Sequence, residues 1–199
     1  MATKRLPTEQ RRAQLAELAL RLLAEGGPQG LTLAGLGKEA GIADASVLRH
    51  FKDKQAIVDA AIALFGQLLD EDLPKDIDDP MRRLGAFFVR RLSKVRERPE
   101  LMALAYNARL RDAAAEKGVA KLNTHIARSA RFILECVQDA QAEGMLKSTV
   151  PPQMWVWSIA GLLRGAAQAV PTGISGETNI EAMSPERAWE IVEHIMCSA

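Results

Sequence analysis

The sequence predicts an all-α fold, on three observations. Apolar residues recur at helical spacing through most of the chain, and the Val–Thr–aromatic alternations that make strands are almost absent. Ala, Leu, Arg, Glu and Gln dominate the composition. With 199 residues and 48% hydrophobic content, the chain holds enough apolar material for one or two packed domains.

Residues 1–8 form a basic arm, expected to be a solvated tail unless it meets a polyanion. From Glu9 to Glu25, Leu15, Leu18, Ala19, Leu22 and Leu23 repeat as one face of a scaffold helix, and Gly26-Gly27-Pro28 ends the run. Residues 32–54, TLAGLGKEAGIADASVLRHFKDK, then organise the first part of the chain. Leu33, Leu36 and Ala40 fall at i, i+3 and i+7 of a short helix, which Thr32 caps and Gly41 stops. A second short helix carries Val47 and Phe51 inward at i, i+4. Ala43 offers it no capping oxygen, and Asp44 can cap it one residue later. Gly37 stands where the two helices cross, which asks for a small residue. Asp53 caps a further helix opening at Lys54. Two short helices joined by a Gly-initiated turn are a helix-turn-helix, whose second helix enters a DNA major groove.

Ile57, Val58, Ala61, Leu64, Phe65 and Leu68 extend the helix after Asp53 to about Asp72, and an acidic linker, Pro74 to Asp79, follows. Asp79-Pro80 opens a helix over about 80–98 that buries Met81, Leu84, Phe88, Leu92 and Val95. Its other faces carry Arg82, Arg83, Arg90, Arg91, Lys94, Arg96 and Arg98, with Glu97 the only acid. A solvated face is the plain reading, and a surface for an anionic partner the sharper one. Pro99 restarts the chain into a helix with Leu101, Met102, Leu104, Ala105 and Tyr106. Gly118 separates this from a long helix, about 119–143, that carries Leu122, Ile126, Ile133, Leu134 and Val137 and ends at Gly144. Pro151-Pro152 introduces MWVWSIAGLLRGAAQAV, apolar nearly all round, so one side is expected in the core and the other against a partner subunit. After a loop at 171–183, Ser184-Pro185 caps a last helix with an apolar stripe of Ala188, Ile191, Val192 and Ile195.

The net charge of +1 divides unevenly. Residues 1–54 hold nine Lys and Arg against six Asp and Glu, leaving +3, and the remainder carries −2. A mildly basic head on a near-neutral body fits a nucleic-acid contact confined to one end. Cys136 and Cys197 are too few for a disulfide framework, and no Cys–His metal spacing is present. His50, His125 and His194 fall in separate helices, with no nucleophile elbow, phosphate-binding Gly loop or paired-His zinc motif. No catalytic residue, metal or cofactor is therefore expected. The N-terminus is polar and no run of about 18 apolar residues exists, so a cytoplasmic protein without a membrane span is expected.

The ordered set Gly27, Leu31-Thr32, Ala40-Gly41-Ile42, Ser46-Val47, His50-Phe51 and Lys54 resembles the DNA-binding domain of TetR-family transcriptional regulators, over about residues 10–62. Beyond that the likeness lies in length, helical layout and a Glu143-Gly144-Met145-Leu146 helix stop. The resemblance implies a three-helix helix-turn-helix DNA-binding domain over 1–54 and a connecting helix over about 54–72. A C-terminal helical bundle for ligand binding and dimerisation would occupy 73–199. It implies a ligand-responsive repressor that binds a palindromic double-stranded DNA operator as a homodimer, paired through its last two helices. Arg11, Arg12, Thr32, His50 and Lys54 are then expected at phosphates, and Asp44, Ala45, Ser46 and Arg49 at base edges. Arg49 is best suited to guanine, because its fork matches the O6/N7 pair. Leu48, on the same DNA-facing stretch, stands where the family has a phosphate-donating Tyr. Phe88, Met102, Tyr106, His125, Phe132 and Trp155 are candidates to line a site for an unidentified, largely apolar effector, against plain core packing as the alternative. Asn107, Trp157 and Arg164 are further candidates, and Phe87 could join the apolar lining. Two rivals remain from other classes: a DNA-bound adaptor whose basic helix 80–98 recruits a protein, and a helical enzyme.

Overall fold

A computed structural model describes residues 7–106, 116–167 and 183–198. The described residues form nine helices: α1 Thr8–Gly30, α2 Leu33–Ala40, α3 Asp44–Val47, α4 Lys54–Asp70, α5 Pro80–Glu97, α6 Glu100–Tyr106, α7 Glu116–Ala142, α8 Pro152–Ala167 and α9 Pro185–Ser198. The basic arm before Pro7, Asn107 and residues 168–182 lie outside the described residues. The fold is all-α, with no strand among the described residues. Packing groups it into two compact units, Met1–Leu68 with Ala103–His125, and Leu69–Met102 with Ile126–Ala199. The end of α6 and the start of α7 thus join the head helices, which a division in simple chain order does not anticipate.

In the first unit, α1 buries Leu15, Leu18, Ala19, Leu20 and Leu23, with Leu20 inside where spacing favours Leu22. The helix does not end at Gly26-Gly27-Pro28. Gly27 takes a positive φ of 61° that redirects the chain, and Pro28 reopens a last turn to Gly30. A proline costs nothing there, because a first-turn N–H has no helical acceptor anyway. α2 is capped as expected, Thr32 Oγ1 accepting the Gly35 N–H at 3.0 Å. A Cβ on Gly35 would lie 2.9 Å from that hydroxyl oxygen, which accounts for a glycine inside so short a helix. Gly41, at φ 65° and ψ 34°, ends α2 with Gly41 N–H on Lys38 O (3.2 Å) and Ile42 N–H on Gly37 O (2.9 Å). α2 packs on both α1 and α3. At the α2–α3 crossing a Cβ on Gly37 would meet Ile42 O at 2.8 Å and Asp44 N at 3.1 Å, so the backbones approach closer than any side chain allows. α4 follows, Asp53 Oδ1 accepting the Ala56 N–H at 2.7 Å, and it buries Ile57, Val58, Ala61, Ile62 and Phe65. One turn from its end, Gly66 admits the His125 ring, whose atoms would sit 2.3 Å from a Cβ at 66.

In the second unit, α5 packs on both α8 and α9. Asp79 Oδ1 accepts the Arg82 N–H at 2.8 Å and Pro80 opens the helix, as its sequence predicts. Met81, Leu84, Phe87, Phe88, Leu92 and Val95 join Ile133, Val137, Ile159, Leu163, Trp189 and Met196 in one core. Gly85 gives passage to Trp189, whose indole Nε1 would lie 2.5 Å from a Cβ there. α7 begins at Glu116, so Gly118 sits inside it rather than before it. It ends as expected at Gly144 (φ 73°), with Met145 N–H on Ala140 O at 2.8 Å. In α9 the buried residues are Trp189 and Met196, while Ala188 and Val192 are half-buried and Ile191 and Ile195 face outward. The apolar arc of this helix is wider than one stripe, so spacing alone does not say which part turns inward.

The basic face of α5 is neither simply solvated nor open to an anion, because most of its charges are matched within the unit. Arg91 is buried; its Nε donates to Asp72 Oδ2 at 2.6 Å and its Nη2 to the Leu69 carbonyl at 2.8 Å. Its guanidinium carbon also lies 4.9 Å from the centre of the Phe87 ring. Burial pushes the Arg91 pKa down from its ordinary value, and the Asp72 carboxylate pulls it back up. Lys94 bridges Glu71 (2.9 Å) and Asp72 (2.8 Å), and Arg128 of α7 pairs with Asp70. The acidic run 70–72 at the end of α4 is thus met by three cations. Arg83 pairs with Asp139, Arg98 with Glu100, and Arg96 donates to the Met183 carbonyl. Arg82 and Arg90 are exposed.

Two measurements check this reading. Gly37→Ala should destabilise the protein by about 1–3 kcal/mol, the usual cost of an overpacked site, read as a lowered Cm in denaturant unfolding. Arg91→Met or Asp72→Asn alone should each cost about 3–5 kcal/mol by stranding a buried partner, while Arg91→Met with Asp72→Leu should recover much of that loss.

Candidate nucleic-acid interface

α3 is only four residues long, too short to persist on its own backbone bonds. The helical path nevertheless continues past it through tightened turns, with Arg49 N–H on Ser46 O (3.3 Å), His50 N–H on Val47 O (2.9 Å) and Phe51 N–H on Val47 O (3.1 Å). Val47 and Phe51 are buried and anchor it, as their spacing predicts. Ala43 is the residue before the helix and makes no side-chain cap. Asp44 is the first helical residue, and its Oδ1 accepts the neighbouring Ala45 N–H at 2.7 Å. Asp44, Ala45, Leu48 and Arg49 are exposed on one outward face, with Ser46 and His50 half-buried.

Three of the cations expected at phosphates are turned to carbonyls. Arg11 is buried, donating through Nη1 to Gln14 Oε1 at 2.7 Å and to the Ala40 carbonyl at 3.4 Å, at the end of α2. Arg12 donates through Nη1 to the His50 carbonyl and lies over the Phe51 ring, 4.6 Å from its centre. Lys54 Nζ donates to the Pro28 carbonyl at 2.8 Å, at the kink of α1. Each cation sits where a helix or helical turn leaves carbonyls without partners and the helix dipole is negative. A buried guanidinium cannot also reach a phosphate, so Arg11 is placed to hold the motif together. Lys54 is exposed and keeps two further N–H donors. Nδ1 of His50 is buried with no hydrogen-bond partner among the described residues, which leaves Nε2 as the atom able to meet a phosphate. Sequence spacing placed these residues near the surface of the motif, but could not show which carbonyls lie within their reach.

Residues 15–61 match the profile of bacterial regulatory proteins of the tetR family. That segment runs from α1 into α4 and is similar to the N-terminal domain of the tetR family. AibR, in a crystal structure with isovaleryl coenzyme A and operator DNA, has the same fold at a TM-score of 0.74 and 16% identity, over 94% of this chain and 97% of that one. The ketosteroid transcriptional regulator KstR2 of Mycobacterium tuberculosis aligns at 0.73 and 17% identity, over 94% and 93%. PfmR from Thermus thermophilus, a TetR family transcriptional regulator, aligns at 0.68 and 16% identity, over 93% and 92%. Among curated proteins none matches the sequence. Residues 15–61 thus resemble a TetR-type DNA-binding domain, and the chain as a whole shares the fold of these regulators.

Of the candidate effector residues, Phe88 and Met102 are in the second unit's core, with Phe132 and Trp155 packed against it. Phe132 is tilted on Phe87 with ring centres 5.3 Å apart, and Phe88 on Trp189 at 5.6 Å. Trp189 joins this cluster although spacing gave no reason to single it out. Tyr106 and His125 belong to the first unit, Tyr106 exposed and His125 packed on Gly66. Arg164 is exposed on α8. No helix among the described residues is long and apolar enough to cross a membrane.

Arg11→Met should lower the unfolding free energy by about 1–3 kcal/mol, the cost of leaving buried acceptors unpaired. It should leave the slope of log K against log salt for DNA unchanged, whereas loss of a true phosphate contact lowers that slope by about one unit.

Proposed function

We propose that this chain is a transcriptional regulator of the TetR family, a ligand-responsive repressor that binds a palindromic operator as a homodimer. The observation that carries the DNA part is the outward face of Asp44, Ala45, Leu48 and Arg49, held rigid by Val47, Phe51 and Arg12. Arg49 reads guanine through its two-donor fork. Thr32, His50 and Lys54 meet phosphates, and Ser46 flanks the base-reading residues. Arg12 shares its charge with the DNA backbone only after serving the His50 carbonyl.

The dimer is proposed through α8 and α9. Trp157 is 72% exposed, and Met154, Leu162 and Ile195 are about half exposed, on helices whose opposite sides enter the core. An apolar surface of this extent is what a partner subunit covers. Gly161 and Gly165 lie on the outer side of α8 with open space where a Cβ would be, room for a close helix crossing. The effector is proposed to be largely apolar, with one polar or anionic group, because Phe88, Met102, Phe132 and Trp155 share one cluster. Among the similar structures, a ketosteroid regulator fits this chemistry as a whole, whereas isovaleryl coenzyme A fits it only through its short apolar acyl chain, which is carried on a polyanionic nucleotide. The matched basic face of α5 removes the motive for the adaptor reading, and the likeness of residues 15–61 to bacterial regulatory proteins favours a regulator over an enzyme.

Ile191→Glu with Ile195→Glu should convert the dimer to a monomer in light scattering and abolish operator binding while the head stays folded. A wild-type monomer at micromolar concentration would sink the assembly. Arg49→Ala should cost about 1–3 kcal/mol of discrimination between operator and scrambled DNA, with non-specific binding nearly intact. For the sensor, acyl thioesters, steroids and fatty acids should raise the melting temperature and change operator affinity. Release of DNA by a divalent metal alone would overturn the effector class.

A further inference from the structure

The reading face holds an apolar element that neither phosphate contact nor guanine recognition uses. Leu48 is 47% exposed, so it is not packed into the core of the motif. It follows α3 in helical conformation, at φ −67° and ψ −10°. The bonds from Ser46 N–H to Ala43 O and from Arg49 N–H to Ser46 O both span three residues. In such a tightened turn, residues three apart stand one above the other. Ala45, also exposed, therefore stacks with Leu48 into one small apolar patch, with Ser46 and Arg49 paired in the same way beside it. Asp44 does not compete for this patch, since its carboxylate is drawn to the Ala45 N–H at 2.7 Å.

Along the edges of the bases in the major groove, the one apolar group that distinguishes a base pair is the 5-methyl of thymine. A branched side chain with no donor or acceptor gains nothing from a phosphate, and is penalised against the polar edges of guanine, cytosine or adenine by the hydrogen bonds it displaces. We propose that Leu48, backed by Ala45, is a specificity residue that reads a thymine methyl next to the base pair read by Arg49. Each half-site would then hold a thymine within one or two base pairs of the Arg49 guanine. This rests on α3 being the reading element, and the test separates the two.

An operator is first selected from random duplexes, and each thymine in one half-site is then replaced by uracil, which removes the methyl and leaves base pairing intact. For the wild-type protein, one replacement near the guanine should weaken binding about fourfold, the worth of burying one methyl group. With Leu48→Ala the same replacement should have no effect, and binding to the thymine operator should already be weaker by a similar factor. Leu48 is exposed, so this variant should melt with the wild type. If no uracil matters, or if the uracil penalty persists in Leu48→Ala, the assignment to Leu48 is wrong. If Leu48→Ala weakens operator and scrambled DNA equally, Leu48 faces backbone and the inference fails. If instead Arg49→Ala leaves specificity untouched, the reading of α3 itself has failed.

Discussion

The head depends on one close approach of backbone to backbone, at Gly37. With no side chain there, α2 can lie within contact of the Ile42 carbonyl and the Asp44 amide, and α3 leaves the turn at the angle that contact permits. The Gly37 carbonyl also accepts the Ile42 N–H, so the residue that admits the turn also closes it. Gly41 supplies the positive φ between them. A four-residue helix has no stability of its own, so its direction is inherited from this crossing and from Val47 and Phe51 beneath it.

The inward-facing cations follow from the same shortness. Three helical stretches end inside a small head, each leaving carbonyls without helical partners, of which only that of Ala40 is met in a buried contact. Arg11 meets the end of α2, Arg12 the end of the reading turn and Lys54 the kink of α1. A long side chain can serve a carbonyl with one donor and keep its others for a phosphate if its head stays in water, as Lys54 does. A buried one cannot. Part of the positive charge in this head thus serves the scaffold, and exposure decides which side chains keep donors for another partner.

The second unit repeats this theme at the end of α4. Asp70, Glu71 and Asp72 look like a solvated acidic turn, and Arg91, Lys94 and Arg128 like surface bases, until packing brings them together. A buried pair such as Arg91–Asp72 adds little net stability, because desolvation offsets its attraction. It does penalise any other placement of the two groups, which fixes the Leu69 carbonyl end of α4 against α5. Most of the charge on α5 is thereby matched within the unit, while Trp157 and Leu162 of α8 and Ile195 of α9 stay exposed.

Local rules were enough for whatever depends on neighbours in the chain. The all-α class, the Thr32, Asp53 and Asp79 caps, the Gly41 and Gly144 stops and the inward turn of Val47 and Phe51 all involve partners within about five residues, so spacing and residue chemistry determine them. The ordered motif through Lys54 also carried the likeness to TetR-type DNA-binding domains. Tertiary structure alone decided matters that hinge on distant partners. Gly27 could read as a stop until Pro28 was seen to restart the turn, and Trp189 could not be told from Ile191 on an arc apolar over half its circumference. Gly66 had no visible purpose before His125 came to rest on it, nor Gly85 before Trp189 did. The fates of Arg11 and Arg91 were hidden for the same reason. A charge is assigned by its hydrogen-bond partners, and the Ala40 carbonyl and the Asp72 carboxylate come within reach of Arg11 and Arg91 only when the chain folds back.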